Sequence, residues 1–251
     1  MPTAIIIGAS SGLGHEIALT YLRRGYSLGV AARRVDLLSP LVDQAPQRVS
    51  AISLDVTADD ATSQLQALID MVGPDIDLFI HCAGIGFANP QLDADRDTAI
   101  VDTNCLGFTR IINYMFNYFA HTRRKGQIAA ITSVAGTRGI GIAASYSASK
   151  RFQSEYLTAL RQLAHHKHLP ITITDIRPGF IDTPLLDAGK KYPMIMNPRQ
   201  ATALIVKAID RRRNRRTINR RWALLVAAWR CIPSCIWQRM RLHLSQKERI
   251  K

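Results

Sequence analysis

The sequence predicts an α/β fold: a single domain built on one parallel, doubly wound sheet, with a helical C-terminal extension. Three observations point there. Short apolar runs alternate with stretches of helical period over the first 210 residues. A glycine-rich turn follows the first of those runs, and the polar residues of chemical interest fall where later runs end. Alternation of this kind gives parallel strands joined by crossover helices. A length of 251 residues suits one such unit.

Residues 4–7 form a continuous apolar run, followed at once by Gly8-Ala9-Ser10-Ser11-Gly12-Leu13-Gly14. Ile17, Ala18, Tyr21 and Leu22 then recur at helical spacing, which reads as strand, turn and helix. Glycines let the backbone turn tightly and approach a pyrophosphate seated on the amides of a helix N-terminus. The spacing is G-x-x-x-G-x-G, not the G-x-G-x-x-G of the commoner Rossmann fingerprint. Its place after a buried strand still favours a dinucleotide over a plain turn.

Residues 27–32 read as the second strand and end in Arg33-Arg34. NAD-specific folds usually carry an acid near this point for the ribose hydroxyls. None comes before Asp36, and two guanidiniums suit a 2′-phosphate. That favours NADP(H) over NAD(H), with two solvated arginines opening a helix as the alternative. Residues 49–54 form the third strand, followed by Asp55-Val56, where an adenine edge could be capped. Residues 76–81 form the fourth and end in Cys82-Ala83-Gly84. Residues 98–120 are a long helical pattern holding Asn104, and residues 127–132 are a fifth strand that delivers Ser133. A helix over 146–165 and a sixth strand over 171–176 follow, the latter leading to Pro178-Gly179.

The helix at 146 opens with Tyr146-Ser147-Ala148-Ser149-Lys150. Tyr146 and Lys150 are one turn apart on the same face. A phenol is a poor acid–base near neutrality, and an ammonium alongside draws its pKa toward the working range. Ser133, brought beside them, would hold a substrate oxygen as charge develops on it. Alone, a tyrosine and a lysine at this spacing mean little; with the glycine turn upstream they form a set.

That set, Gly8-x-x-x-Gly12-x-Gly14 with Asn104, Ser133, Tyr146, Lys150 and Pro178-Gly179, resembles the short-chain dehydrogenase/reductase family over residues 3–210. The resemblance implies Tyr146 as general acid–base, Lys150 on the nicotinamide ribose, Ser133 positioning a carbonyl and Asn104 holding a relay water. It also implies Gly8, Ser10, Ser11, Gly12, Leu13 and Gly14 around the pyrophosphate, and Arg33 and Arg34 on the 2′-phosphate. Asp55 and Val56 would bracket adenine, Ala83 and Gly84 pass the adenosine ribose, and Pro178, Gly179 and Thr183 meet the nicotinamide half. The expected activity is NADP(H)-dependent reduction of a carbonyl, or the reverse, with no metal. One departure is visible: His81-Cys82 stands where the family often has two asparagines. His81 reads as a packing residue and Cys82 as a small buried apolar one.

Composition divides the chain at about residue 210, into a catalytic unit over 1–210 and a basic amphipathic tail over 211–251. Of the net charge of +14, the tail carries thirteen Lys/Arg against one acid, Glu248, leaving +2 for the rest. Ahead of it, residues 180–196 read as an apolar loop; the resemblance implies that this segment covers the substrate, so it is either a lid over a lipophilic ketone or alcohol or a loop packed against the core. All three tryptophans lie in the tail, whose longest clean apolar run, residues 222–229, is too short to span a bilayer. Arginines flanking such a run favour a contact with an anionic membrane surface through 211–241. Docking on the protein's own body or in a homo-oligomer is the next reading, and nucleic acid the last. Four cysteines without a dense framework and the absence of a signal-like N-terminus suit a cytoplasmic protein, peripheral on the membrane at most. A second class of function stands beside the enzyme: a dinucleotide sensor whose tail contacts lipid, RNA or protein.

Overall fold

The computed structural model describes residues 1–187 and 189–241. Seven parallel strands form one sheet in the order β3-β2-β1-β4-β5-β6-β7. The first half runs β1 (Thr3–Ile7), α1 (Gly12–Arg23), β2 (Ser27–Ala32), α2 (Ser39–Gln44), β3 (Val49–Ser53), α3 (Ala61–Val72) and β4 (Leu78–His81). The second runs α4 (Ala94–Val101), α5 (Phe108–Thr122), β5 (Gly126–Ile131), α6 (Ala144–His166), β6 (Ile171–Arg177) and α7 (Pro198–Asp210). Then come β7 (Arg215–Thr217), α8 (Arg220–Arg230) and the short α9 (Ser234–Trp237).

The two-residue period of a strand sends alternate side chains to opposite faces. In β1, Ile5 and Ile7 join the core under α3, α5 and α6, while Ala4 and Ile6 join the core under α1, α2 and α7. Both faces are covered, so the strands read as continuous apolar runs. Strand order reverses between β1 and β4, and that opens a crevice at the carboxyl ends of these strands.

Two departures from the sequence reading concern its helix over 98–120 and its tail. The helix is present, but residues Asp102–Gly107 are wound as a π turn between α4 and α5, with Asn104 inside it. Such a turn is wider than an α turn and is common at functional sites.

The tail boundary after residue 210 does not coincide with the edge of the fold. Residues 215–217 add a seventh strand, pairing Asp175, Ile176 and Arg177 of β6 with Arg215, Arg216 and Thr217. The fully buried Asp175 explains why arginines belong there: its Oδ2 accepts from Arg177 Nε at 2.9 Å and Arg215 Nε at 3.3 Å. Its Oδ1 accepts from Thr132 Oγ1 at 2.6 Å. A buried carboxylate needs such partners. Ile218, Trp222 and Val226 then bury against the body. Each tryptophan indole N–H is also taken up by the protein: Trp222 by the Met194 carbonyl, Trp229 by Thr137 Oγ1 and Trp237 by the Gly139 carbonyl. The described part of the tail is therefore docked on the body.

Candidate active site

Glycine at position 8 is a backbone requirement. Its φ is +86°, and a Cβ there would lie 2.6 Å from the Ala83 amide nitrogen, so the turn after β1 packs directly on the turn after β4. Ser11 is the N-cap of α1, and it lines the crevice with Gly12, Leu13 and Gly14 of the first turn. Across it, Thr183 lies against Gly12, 3.4 Å from where a Cβ would be. Arg33 and Arg34 leave the end of β2 as exposed side chains, and neither is in an ion pair among the described residues. Asp55 forms a local turn, its Oδ1 accepting from the Thr57 amide and hydroxyl at 2.9 and 2.8 Å.

These groups line a single cavity of about 730 Å³. Every residue the sequence reading gives to a dinucleotide lies on it, as do Ser133, Tyr146 and Lys150; Asn104 does not. The glycine turn and the small residues along it make the cavity a fitting cradle for a dinucleotide.

The chemical groups are set by two anchored turns. Ser133 caps the turn after β5, its Oγ accepting from the Ala135 amide at 3.1 Å. The start of α6 is held by Ser145, which donates to Asp97 Oδ1 at 2.6 Å, and by Ser147, which accepts from the Ile140 amide at 3.0 Å. Tyr146 and Lys150 do share a face, with Lys150 Nζ over the phenol ring, 5.8 Å from its centroid.

The expected pull of the ammonium on the phenol is not the dominant effect. Burial raises the Tyr146 pKa, and the neighbouring Ser133 hydroxyl acts in the opposite direction. Burial also lowers Lys150 to about 8, with the nearby Cys82, Cys105 and Asp175 opposing it. Desolvation is the largest cause for both groups.

The Asn104 side chain is anchored within the protein. Its Oδ1 accepts from the Ile85 amide at 2.9 Å, while Nδ2 donates to the Ile85 carbonyl at 2.7 Å and to Ser149 Oγ at 3.1 Å. The side chain is fully used in clamping the segment after β4 to α6. His81 is buried against Phe108, with ring centroids 5.0 Å apart, as a packing residue should be. Burial drops its pKa to about 3, so the imidazole is neutral. Cys82 is only partly buried and forms part of the cavity wall, where burial pushes the thiol up to about 12.

Sequence reasoning read the 180–196 loop as a lid but did not place α8 beside it as a roof over the cavity. Trp222, Leu225 and Trp229 of α8 line the cavity with Phe180 and Tyr192 of the loop before α7. The Trp222 indole lies so close over Gly179 that a side chain there would collide with it. Phe180 packs edge-on against Trp222 at 5.5 Å, and Trp222 against Trp229 at 6.3 Å. The available signal was three tryptophans in a tail read first as membrane-facing and second as docked on the protein's own body.

A seven-stranded parallel sheet with a glycine-turn cradle and a serine–tyrosine–lysine cluster defines a dinucleotide-dependent oxidoreductase of Rossmann type. The chain belongs to the short chain dehydrogenase family, whose signature matches residues 2–192. An uncharacterized oxidoreductase of Myxococcus xanthus is 34% identical over 216 residues, covering 83% of this chain and 84% of the relative. A short chain dehydrogenase from Burkholderia cenocepacia, solved in complex with NADP, superposes with a TM-score of 0.81 at 21% identity, covering 96% of this chain and 98% of its own. One from Burkholderia phymatum, solved with NAD, gives 0.77 at 19%, covering 90% and 92%. At these identities the two structures speak for the fold.

Proposed function

We propose that the protein reduces a lipophilic carbonyl with a preference for NADP(H) over NAD(H), or oxidises the matching alcohol. The observation that carries this reading is the convergence of Ser133, Tyr146 and Lys150 on one cavity whose far end is the glycine turn and Arg33-Arg34. A nicotinamide dinucleotide, when bound, supplies or takes up the hydride. The protein's own groups handle the oxygen. Ser133 donates a hydrogen bond to it, and Tyr146 gives up its phenolic proton there as negative charge builds. The Lys150 ammonium stabilises the phenolate that remains. In the alcohol direction Tyr146 takes the proton.

The preference for NADP(H) rests on two exposed, unpaired guanidiniums at the end of β2 and no acid before Asp36. The lipophilic substrate rests on the roof, where Trp222, Leu225 and Trp229 line the same cavity as Ser133 and Tyr146. Fluorescence titration with NADPH and NADH side by side tests the first: tight NADPH and weak NADH binding is expected, and equal affinity refutes the phosphate site. Tyr146→Phe tests the chemistry. Turnover in a lipophilic-ketone screen should fall about 10²–10⁴-fold with NADPH binding retained, and unchanged turnover removes the assignment.

Contact with an anionic membrane surface is a further part of the reading, supported by the outer side of α8. Leu224 there is 73% exposed beside exposed Ala227 and Ala228, with Arg220, Arg221 and Arg230 at the ends. Residues 211–241 hold ten arginines and no acid. No described helix is long and apolar enough to cross a membrane. Flotation with phosphatidylserine-containing vesicles should recover the protein, less so at high salt or with Leu224→Glu. Recovery equal to that with pure phosphatidylcholine refutes the contact.

A further inference from the structure

The main-chain carbonyl of Asn104 faces a buried side chain of α6. Gln153, three residues after Lys150 on α6, is fully buried. Its Oε1 accepts from Lys150 Nζ at 3.0 Å, and its Nε2 donates to the Asn104 main-chain carbonyl at 2.9 Å. The sense of this carboxamide is fixed by its neighbours. An ammonium only donates and a carbonyl only accepts, so a flipped amide would set donor against donor and oxygen against oxygen. Burying an amide costs free energy unless both ends are paired, and here both are.

We propose that Gln153 is a positioning residue that keeps the Lys150 ammonium charged and aimed at the cavity. The other acceptor of Nζ is the Ile131 carbonyl at 3.3 Å. Among the described residues, the ionisable groups packed around it give it no carboxylate partner. His81 on β4 is neutral, and Cys82 beyond β4 and Cys105 in the π turn are held as thiols by burial. Tyr146 on the same helix keeps its proton, while Asp175 on β6 is taken up by Arg177, Arg215 and Thr132. The carboxamide is therefore the closest hydrogen-bond acceptor of a buried cation. It cannot pass a proton on, because an amide neither gains nor loses one near neutrality.

This role rests on the oxidoreductase reading only for its rate, so its test has a readout independent of turnover. Labelling of Lys150 by acetic anhydride, followed across pH by peptide mass spectrometry, reports the lysine directly. Gln153→Met removes the acceptor at similar volume, and its labelling midpoint should fall by about one pH unit. Gln153→Glu supplies a carboxylate, and its midpoint should rise by a similar amount. In carbonyl reduction the alkaline limb of the rate should move the same way, with kcat changing more than KM. An unmoved midpoint in a folded Gln153→Met protein overturns the proposal. If that variant does not fold, Gln153→Glu decides alone, and an unmoved midpoint there overturns it.

Discussion

Ending the chain after Asp210 should unfold the protein, although composition marks that point as a boundary. The cut removes β7 and with it the pairing along β6, and it strips Arg215 from the buried Asp175. It also removes Ile218, Trp222 and Val226, which are 1%, 3% and 7% exposed. Three such side chains at about 1.5–3 kcal/mol each come to roughly 5–9 kcal/mol. The whole stability of a domain is about 5–15 kcal/mol, so the shortened chain is left with little or none. Circular dichroism melts of the two proteins decide the matter. The full chain should unfold in one cooperative transition and the shortened one should lack it, or lose it by tens of degrees. A shortened protein that melts cooperatively within a few degrees of the full chain would refute the view that these residues are part of the fold. For the same reason point changes on the outer face of α8, not truncation, are the right probe of membrane contact.

Arg33→Ala and Arg34→Ala should each weaken NADPH about tenfold to a hundredfold, the range for a lost charge-assisted hydrogen bond, and leave NADH unchanged; titration of both dinucleotides reads this. Trp229→Ala enlarges the roof side of the cavity, so KM for bulky ketones should fall relative to small ones while the kcat for small ones holds, as steady-state kinetics would show. The buried Lys150, at about 8 against its usual 10.5, loses its proton in the folded state while the unfolded chain keeps it. Native protein thus binds fewer protons in that window, and stability should rise from about pH 8 to 9.5 relative to Lys150→Met. Urea midpoints for the two proteins measure the difference.

Much of this molecule was legible in advance because its signals are local. Ile5–Ile7 followed by glycines, and a tyrosine and lysine one helical turn apart, declare a strand, a turn and a shared face without any tertiary knowledge. What escaped depends on partners distant in sequence. Arg215-Arg216-Thr217 has no apolar alternation, and it becomes a strand because it lies beside β6 with a buried carboxylate to meet. Trp222 reads as interfacial until Gly179 is placed beneath it. Gln153 is an ordinary helical residue until the π turn brings the Asn104 carbonyl opposite.

The roof formed by α8 separates two kinds of inheritance within one cavity. Its floor and dinucleotide end are built by the strands and turns that carry the family's signature, which ends at residue 192. Part of its ceiling, Trp222, Leu225 and Trp229, comes from beyond that limit. Grafting a different ceiling onto the same floor should therefore redirect which ketones are accepted while the hydride chemistry stays put, which makes α8 a natural crossover point for chimeras.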